Sequence, residues 1–225
     1  MKPIIFNTEM VRAILDGRKT VTRRVIKPRY REDEGGFQVC TNKKTGEQWV
    51  EKSDWDEGSF DPPRYIKPPY MPGDILYVRE TWNTTDECGL FPPWPSTGIH
   101  YMYLADAPES QAAKDAKWRP SIHMPKEAAR IFIRVTDVRV ERLQSIDEDG
   151  AIEEGCVPVA CPACFGFGGR CTDCNGTGAI EPALLDFVDI WNSTIKKKDL
   201  PLYGWESNPW VWVIEFERQD ENQHE

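Results

Sequence analysis

The sequence lacks the long apolar run that a membrane-spanning helix requires. Its apolar stretches, such as WVWVI at 210–214, are far shorter than the roughly 20 residues that cross a bilayer, and the mean hydropathy is −0.58. The start also lacks the pattern of a secretory signal, because Met1 leads into Lys2, Pro3 and only a short apolar stretch. We therefore expect a cytoplasmic protein that does not act at a membrane.

An overall basic charge and histidine-rich motifs are missing too. The formal net charge is −9, which argues against a protein that coats nucleic acid through a uniformly basic surface. The chain has 3 histidines, and none lies in a His-Glu-x-x-His or comparable spacing. This argues against the usual histidine-based metal sites and against serine hydrolases.

Positive charge is nevertheless concentrated near the start of the chain. Residues 1–30 hold eight Lys or Arg residues against two acidic ones, and the segment GRKTVTRR contains Arg18, Lys19, Arg23 and Arg24. These side chains could form a local cationic patch. They could equally solvate the outside of a strand and pair with nearby carboxylates.

Four of the 7 cysteines share one segment, CPACFGFGGRCTDCNGTG, as two Cys-x-x-Cys pairs. Each such pair directs two thiolates at one metal. We therefore expect a tetrahedral zinc site whose four ligands are Cys161, Cys164, Cys171 and Cys174. Each second cysteine is followed by x-Gly-x-Gly, whose glycines tolerate positive φ. The segment resembles two Cys-x-x-Cys-x-Gly-x-Gly units of the zinc region in J-domain chaperones.

The alternatives to zinc are a pair of disulfides, which a reducing cytoplasm disfavours, and free thiols in a loop. A site with four cysteine ligands has no open coordination position, so we expect a structural zinc that does not activate water. Cys156 is close enough in sequence to substitute as a ligand. We expect Cys40, Cys88 and Cys156 to be ordinary cysteines.

Hydrophobic patterns predict a mainly β fold with some helices (α+β). The segments with strand character are PIIF, TVTRRVI, GDILYVRETW, RIFIRVTDVRVERL and PWVWVIEFER. Helices are predicted after Thr8 up to Gly17, over 145–155 from a capping box of Ser145 and Glu148, and over 181–195. Residues 29–72 and 83–120 are predicted to be irregular. Many strands with long connections favour a small twisted β-barrel.

A family resemblance rests on ILDGRKTVTRR, PGDILYV, the strand and acidic helix of 131–155, and VWVIEFE. These segments follow in the order of the ASCH domain, a barrel related to the PUA RNA-binding fold. Of the family signature Gly-x-Lys-x-x-Glu-x-Arg, Gly17, Lys19 and Arg24 match, while Thr22 replaces the glutamate. That replacement resembles the bacterial N(4)-acetylcytidine amidohydrolases. The resemblance implies one ASCH domain over 1–225 with a zinc knuckle inserted at 156–180.

The same resemblance implies a catalytic set. Lys19 and Thr22 match without a gap, and the glutamate falls on Glu154, with Glu153 as the alternative. Thr22 would be the nucleophile and Lys19 its base. Because residues three apart on a regular strand face opposite sides, Lys19 must lie in the turn before the strand begins. Arg18, Arg23, Arg24 and Glu80 are candidate substrate-binding residues, and segments 29–70, 83–125 and 156–180 have no counterpart in those enzymes.

Two functions from different classes follow. The first is an amidohydrolase that removes an acyl group from a modified cytosine, through Thr22, Lys19 and Glu154. The second is a non-catalytic module that binds RNA or DNA through a PUA-like barrel. The expected partner is a modified nucleoside or single-stranded nucleic acid. Without the resemblance, Lys19 would be a solvated cation and Thr22 an ordinary strand residue.

Overall fold

A computed structural model describes residues 1–27, 36–53, 64–84, 100–107, 110, 113 and 115–219. In chain order the strands are β1 Lys2–Ile5, β2 Val21–Val25, β3 Gly36–Thr41, β4 Gln48–Ser53, β5 Arg64–Ile66, β6 Ile75–Arg79, β7 Trp82–Thr84, β8 Tyr101–Tyr103, β9 Phe132–Arg142, β10 Val159–Ala160, β11 Ala179–Glu181 and β12 Trp210–Gln219. The α-helices are α1 Thr8–Leu15, α2 Glu148–Glu153, α3 Ala183–Thr194 and α4 Leu200–Tyr203. The chain divides into two compact units.

The first unit contains the described residues of Met1–Arg18, Gly73–Arg134 and Glu217–Glu225. In it β1 pairs in parallel with β6, and β6 pairs antiparallel with the start of β9. Helix α1 begins after Asn7, whose side chain accepts the backbone N–H of Met10, and it ends at Gly17, where φ is +76°. Strands β7 and β8 form an antiparallel pair.

The second unit contains the described residues of Lys19–Pro72 and Val135–Phe216. Its main strands lie in the order β9, β12, β2, and antiparallel pairing places Thr22 opposite Ile214. Strands β3, β4 and β5 form a separate antiparallel sheet. The core packs β2 and β12 against α2 and α3 through buried residues that include Val21, Ala151, Phe187 and Val213.

Helix α2 holds α3 through a long-range cap. Its N-cap is Asp147, whose side chain accepts the backbone N–H of Gly150. The carboxylate of Glu148 accepts the N–H groups of Ala183 (2.6 Å) and Leu184 (3.1 Å) at the start of α3. Since Pro182 precedes α3 and has no capping side chain, Glu148 supplies the acceptor that this helix end needs.

The mainly β prediction with some helices is confirmed. Among the described residues the strands form four separate sheets, and none of them closes into a barrel, so the PUA-like barrel stays a prediction, as does the single ASCH domain. In the part of the chain that the structure describes, no helix is long and apolar enough to cross a membrane.

Several local predictions were wrong in detail. Residues 29–72 are not wholly irregular, because β3, β4 and β5 lie there. In 83–120 lie β8 and the last two residues of β7. The helix N-caps are Asn7 and Asp147, not Thr8 and Ser145. The side chains of Asn7 and Asp147 accept a backbone N–H from the first turn of their helices. Strand β9 runs through Asp137 as one strand. Cys88 and most of 83–100 lie outside the described residues.

Candidate functional site

A buried ion pair joins the segment before β2 to the end of α2. Lys19 Nζ lies 2.5 Å from Glu154 Oε2, and it also donates to the backbone carbonyls of Glu154 (2.7 Å) and Val21 (2.8 Å). The Lys19 side chain is fully buried, and that of Glu154 is 4% exposed. Because burying an ionised group is costly, this arrangement depends on the charge and hydrogen bonds that each partner offers the other.

Backbone contacts fix Lys19 in position. Thr20 N–H donates to the carbonyl of Glu153 at 2.9 Å, and the Thr20 carbonyl accepts the N–H of Phe216 at 2.8 Å. Lys19 lies before β2, which begins at Val21, as the sequence argument required. At the other side, Gly155 has φ +96° and stops α2 directly after Glu154.

The surroundings lower the pKa of Lys19 below its ordinary value. Burial is the largest cause, and the positive charge of Arg24 acts in the same direction. The charge and hydrogen bond of Glu154 raise the pKa but do not outweigh the burial. Lys19 therefore loses its proton more readily than an exposed lysine does. A lysine that acts as a general base needs its pKa lowered in this way.

The arginines after Lys19 are also largely internal. Arg23 donates from Nη1 to Glu154 Oε1 at 3.3 Å, its Nη2 lies 3.9 Å from Glu141 Oε2, and its side chain is 5% exposed. Burial lowers the pKa of Arg24, while Tyr70 and Glu154 act to raise it. Arg23 therefore faces carboxylates of its own chain and is not presented to solvent.

Thr22 is buried in β2 with 2% of its surface exposed. Side chains alternate along a strand, so Thr22 and Arg24 share one face of β2, while Val21 and Arg23 share the other. The structure thus brings Lys19, Arg23 and Glu154 into direct contact and places Thr22 in the adjoining strand. Of the two glutamates considered, Glu154 is buried and bonded to Lys19, whereas Glu153 is exposed.

Arg18 and Glu80 belong to the first unit. Arg18 is exposed and bonds to Asp16 at 3.1 Å. Glu80 is buried, and both its carboxylate oxygens accept from Arg130 at 3.0 Å. These contacts explain the burial of Glu80 as one half of a bidentate ion pair. The predicted roles of Lys19, Thr22, Glu154, Arg18, Arg23, Arg24 and Glu80 stay predictions.

The four predicted cysteine ligands form one cluster. The sulfur atoms of Cys161, Cys164, Cys171 and Cys174 all lie within 4.8 Å of one another, and no disulfide joins them. The Cys161–Cys171 and Cys164–Cys174 sulfurs are 3.9 and 3.7 Å apart. Four sulfurs at about 2.3 Å from one ion stand about 3.8 Å apart in a regular tetrahedron, so the cluster fits a metal ion.

Backbone groups complete this cluster with a repeated geometry. The N–H groups of Gly168 and Gly178 donate to the sulfurs of Cys164 (3.4 Å) and Cys174 (3.2 Å), each four residues back. Burial raises the pKa of the Cys174 thiol, but the Gly178 N–H and the neighbouring thiols outweigh it and lower the pKa to about 7. This favours the thiolate that binds metal.

The glycines of the loop are required by close backbone contacts. A β-carbon at Gly178 would lie 2.4 Å from the carbonyl oxygen of Gly166, and one at Gly168 would lie 2.5 Å from that of Gly176. All four glycines have positive φ. The spacing Cys-x-x-Cys-x-Gly-x-Gly is thus accounted for by ligands and glycines together.

The remaining described cysteines are not part of this cluster. Burial raises the pKa of Cys156 to about 12, with Asp186 and Glu154 acting in the same direction, and its side chain packs in the core. Cys40 donates to the carboxylate of Glu51 at 3.2 Å. Neither is placed as a substitute ligand, in agreement with the prediction.

Several residues of these networks could not be predicted from the sequence. Glu141 and Tyr70 act on Arg23 and Arg24, and Arg130 and Asp106 surround Glu80. No motif marks them, because each pairing joins residues that are tens of positions apart.

Comparison with known proteins adds no family: no protein-family model, no curated protein and no solved structure matches this chain.

Proposed function

We propose that this chain is an ASCH-like protein that recognises a modified cytosine nucleoside and hydrolyses the amide of an N(4)-acylated cytosine. The single observation that carries the proposal is the buried Lys19–Glu154 pair, in which the pKa of Lys19 is lowered. Lys19 and Thr22, three residues apart in sequence, would be the two parts of an activated hydroxyl nucleophile.

The chemistry assigns one role to each group. The Thr22 hydroxyl attacks the acyl carbon as its proton passes to the neutral amine of Lys19. The tetrahedral intermediate then breaks its carbon–nitrogen bond, and the exocyclic nitrogen takes that proton as the cytosine amine leaves. Water finally cleaves the acyl-Thr22 ester to the free carboxylic acid. Glu154 positions Lys19 through their hydrogen bond. It also takes up the ammonium proton, so that Lys19 enters the reaction as the neutral amine.

This mechanism also requires motion. Lys19 and Thr22 each expose 2% of their surface, so the substrate can reach Thr22 only if its covering side chains move. Conformational opening of this kind is common in enzymes that exclude water from the reaction.

The test is turnover of N(4)-acetylcytidine, followed by chromatography of the cytidine formed. Lys19→Ala should reduce kcat/KM by roughly a thousandfold or more, and Thr22→Val should abolish turnover. Thr22→Ser, which keeps a hydroxyl, should retain part of the activity. Lys43→Ala serves as the control, because Lys43 is an exposed cation outside the predicted site, and it should act like the native chain. Undiminished turnover by Thr22→Val would overturn the mechanism.

The non-catalytic alternative is a module that grips nucleic-acid phosphates through the same cations. The burial of Lys19 and Arg23 against Glu154 disfavours it, because a phosphate clamp needs accessible charges. If it were correct, native protein would bind a single-stranded oligonucleotide without turnover, and each lost cation would flatten the salt dependence by about one unit.

For the four-cysteine loop we infer a structural zinc ion. Cysteine sulfurs in a tetrahedral set are the ligands that zinc takes in closed structural sites. With all positions filled by protein, the ion would hold 161–178 folded and take no part in the amide chemistry.

A further inference from the structure

Exposed apolar side chains are concentrated around the four-cysteine loop. The most exposed are Phe165 and Phe167, at 82% and 90%. Six such residues form what we call the knuckle face: Val157, Val159, Phe165, Phe167, Ile180 and Leu185. Large exposed apolar patches of this kind generally mark interaction sites, whereas isolated apolar residues do not.

The loop itself does not need its phenylalanines. Its two halves have the same backbone, and the positions that follow the second cysteine of each pair have φ 53° at Phe165 and 50° at Asn175. The second half uses Asn175 and Thr177 where the first has Phe165 and Phe167. Asparagine tolerates this left-handed conformation and a bulky aromatic does not. The phenylalanines therefore serve something other than the fold of the loop.

The four-cysteine loop lies against the β10–β11 ribbon. A β-carbon at Gly166, between the phenylalanines, would lie 3.7 Å from that of Ala160 in β10. Strand β10 pairs with β11, so that Val159 stands opposite Glu181, the neighbour of Ile180. The ribbon and the loop are thus in contact through Gly166 and Ala160.

Acidic residues predominate in the sequence around this apolar surface. The backbone N–H of Val157 donates to Asp186 Oδ2 at 3.4 Å, which places one carboxylate at its edge. Between 148 and 189 the sole basic residue is Arg170. The exposed acids of that stretch are Asp149, Glu153, Asp173, Glu181, Asp186 and Asp189.

This charge distribution favours one class of binding partner for the knuckle face. Acidic carboxylates repel nucleic-acid phosphates. They would also face one another across a symmetric contact between two copies, where like charges are unfavourable. They attract a basic partner, and the apolar centre with a charged rim has the composition of a protein interface.

We propose that the knuckle face is a docking site for a partner protein whose contact surface is apolar and rimmed by Lys and Arg, with Phe165 and Phe167 as the anchors that insert into it. Aromatic anchors at the centre of an interface usually contribute most of its affinity. The site is independent of the amide chemistry proposed above, and binding there requires the loop to be folded.

The experiment uses the full chain and a defined probe, a fluorescein-labelled amphipathic helix with leucines on one face and lysines on the other. Fluorescence anisotropy should show saturable binding to native protein. The variant Phe165→Asn/Phe167→Thr copies the second half of the loop, so the loop should keep its metal content. Its affinity should be weaker by about tenfold or more. Leu202→Thr removes an exposed apolar side chain elsewhere and should leave the affinity unchanged.

A matching helix with glutamates in place of the lysines should bind at least about tenfold more weakly. Equal affinity of the double variant for the basic helix would overturn the proposal, as would equal binding of the acidic helix. Phenylalanine-dependent binding of poly(dT) without binding of the peptide would assign the surface to nucleic acid and overturn it. The proposal would also be overturned if sedimentation velocity showed a dimer for the native protein and a monomer for the double variant.

Discussion

Glu154→Gln tests whether the buried pair is held by charge. The substitution keeps the shape of the side chain and one acceptor oxygen, but it removes the negative charge bonded to Lys19 and Arg23. Removing one partner of a buried ion pair costs about 3–5 kcal/mol, because the other charge is left uncompensated. We expect a loss near the lower end at about pH 6, since the Glu154 backbone carbonyl still accepts from Lys19.

The cost should depend on pH in a defined direction. The folded-state pKa of Lys19 is lowered, so the unfolded chain binds more protons between that pKa and the unfolded value of about 10.4, and stability rises with pH across this window. Glu154→Gln lowers the folded pKa further. Its cost should therefore be largest while Lys19 is protonated in the native protein and should shrink as pH rises toward about 10.

The assay is urea unfolding followed by tryptophan fluorescence, at several pH values. Glu153→Gln is the matched control, because it makes the same change at the exposed neighbouring position and should cost about 0.5 kcal/mol or less. The double variant Lys19→Met/Glu154→Gln removes both charges of the Lys19–Glu154 pair and should recover part of the stability, while the loss of the Arg23–Glu154 contact remains. A cost for Glu154→Gln that equals that of Glu153→Gln, or that does not change with pH, would refute the reasoning.

Two further changes test the loop and the first unit. Gly178→Ala would place a β-carbon 2.4 Å from a carbonyl oxygen, so a colorimetric chelator should remove the inferred zinc ion faster than from native protein. Gly46→Ala, with positive φ but open space, should release that ion at the native rate. Equal release by the two variants would contradict the importance of the close contact at Gly178. Glu80→Gln should lower the free energy of unfolding in urea by about 3 kcal/mol, because Glu80 is 1% exposed and paired with Arg130. Asp106→Asn, at a side chain that is 52% exposed, should lower it by less than about 1 kcal/mol. Similar costs for the two variants would contradict the importance of burial for the Glu80–Arg130 pair.

Local patterns were sufficient where the structure depends on neighbours in sequence. The clustering of the four cysteines was predicted, because the cysteine and glycine spacing contains every group that the geometry of the loop uses. Strands β2, β9 and β12 follow from alternation and β-branched content. Sheet β3–β5 was missed, because proline, glycine and charge along 29–72 are typical of loops, while the pairing that stabilises those strands is not visible in any one of them.

The site was predictable only in part, for the same physical reason. Lys19 could be placed before β2 from the sequence. Two residues three apart on one regular strand face opposite sides, so a Lys19 that acts with Thr22 cannot lie in that strand. The choice between Glu153 and Glu154 depends on the rotation of a short helix by one residue, which sequence cannot fix, and the structure buries Glu154 alone of the two. Glu141 lies more than a hundred residues from Arg23, and no local pattern connects them.

The cations of GRKTVTRR are thus not a uniform patch, and their different surroundings explain the lowered pKa of Lys19. A carboxylate bonded to a lysine normally makes it a more permanent cation. Here Glu154 is also bonded to Arg23 and acts on Arg24, so several positive charges lie around one carboxylate. Burial and Arg24 then outweigh Glu154 at Lys19. Arg24 therefore affects the site directly, because its positive charge lowers the pKa of Lys19, whereas Arg23 shares the carboxylate of Glu154 with Lys19.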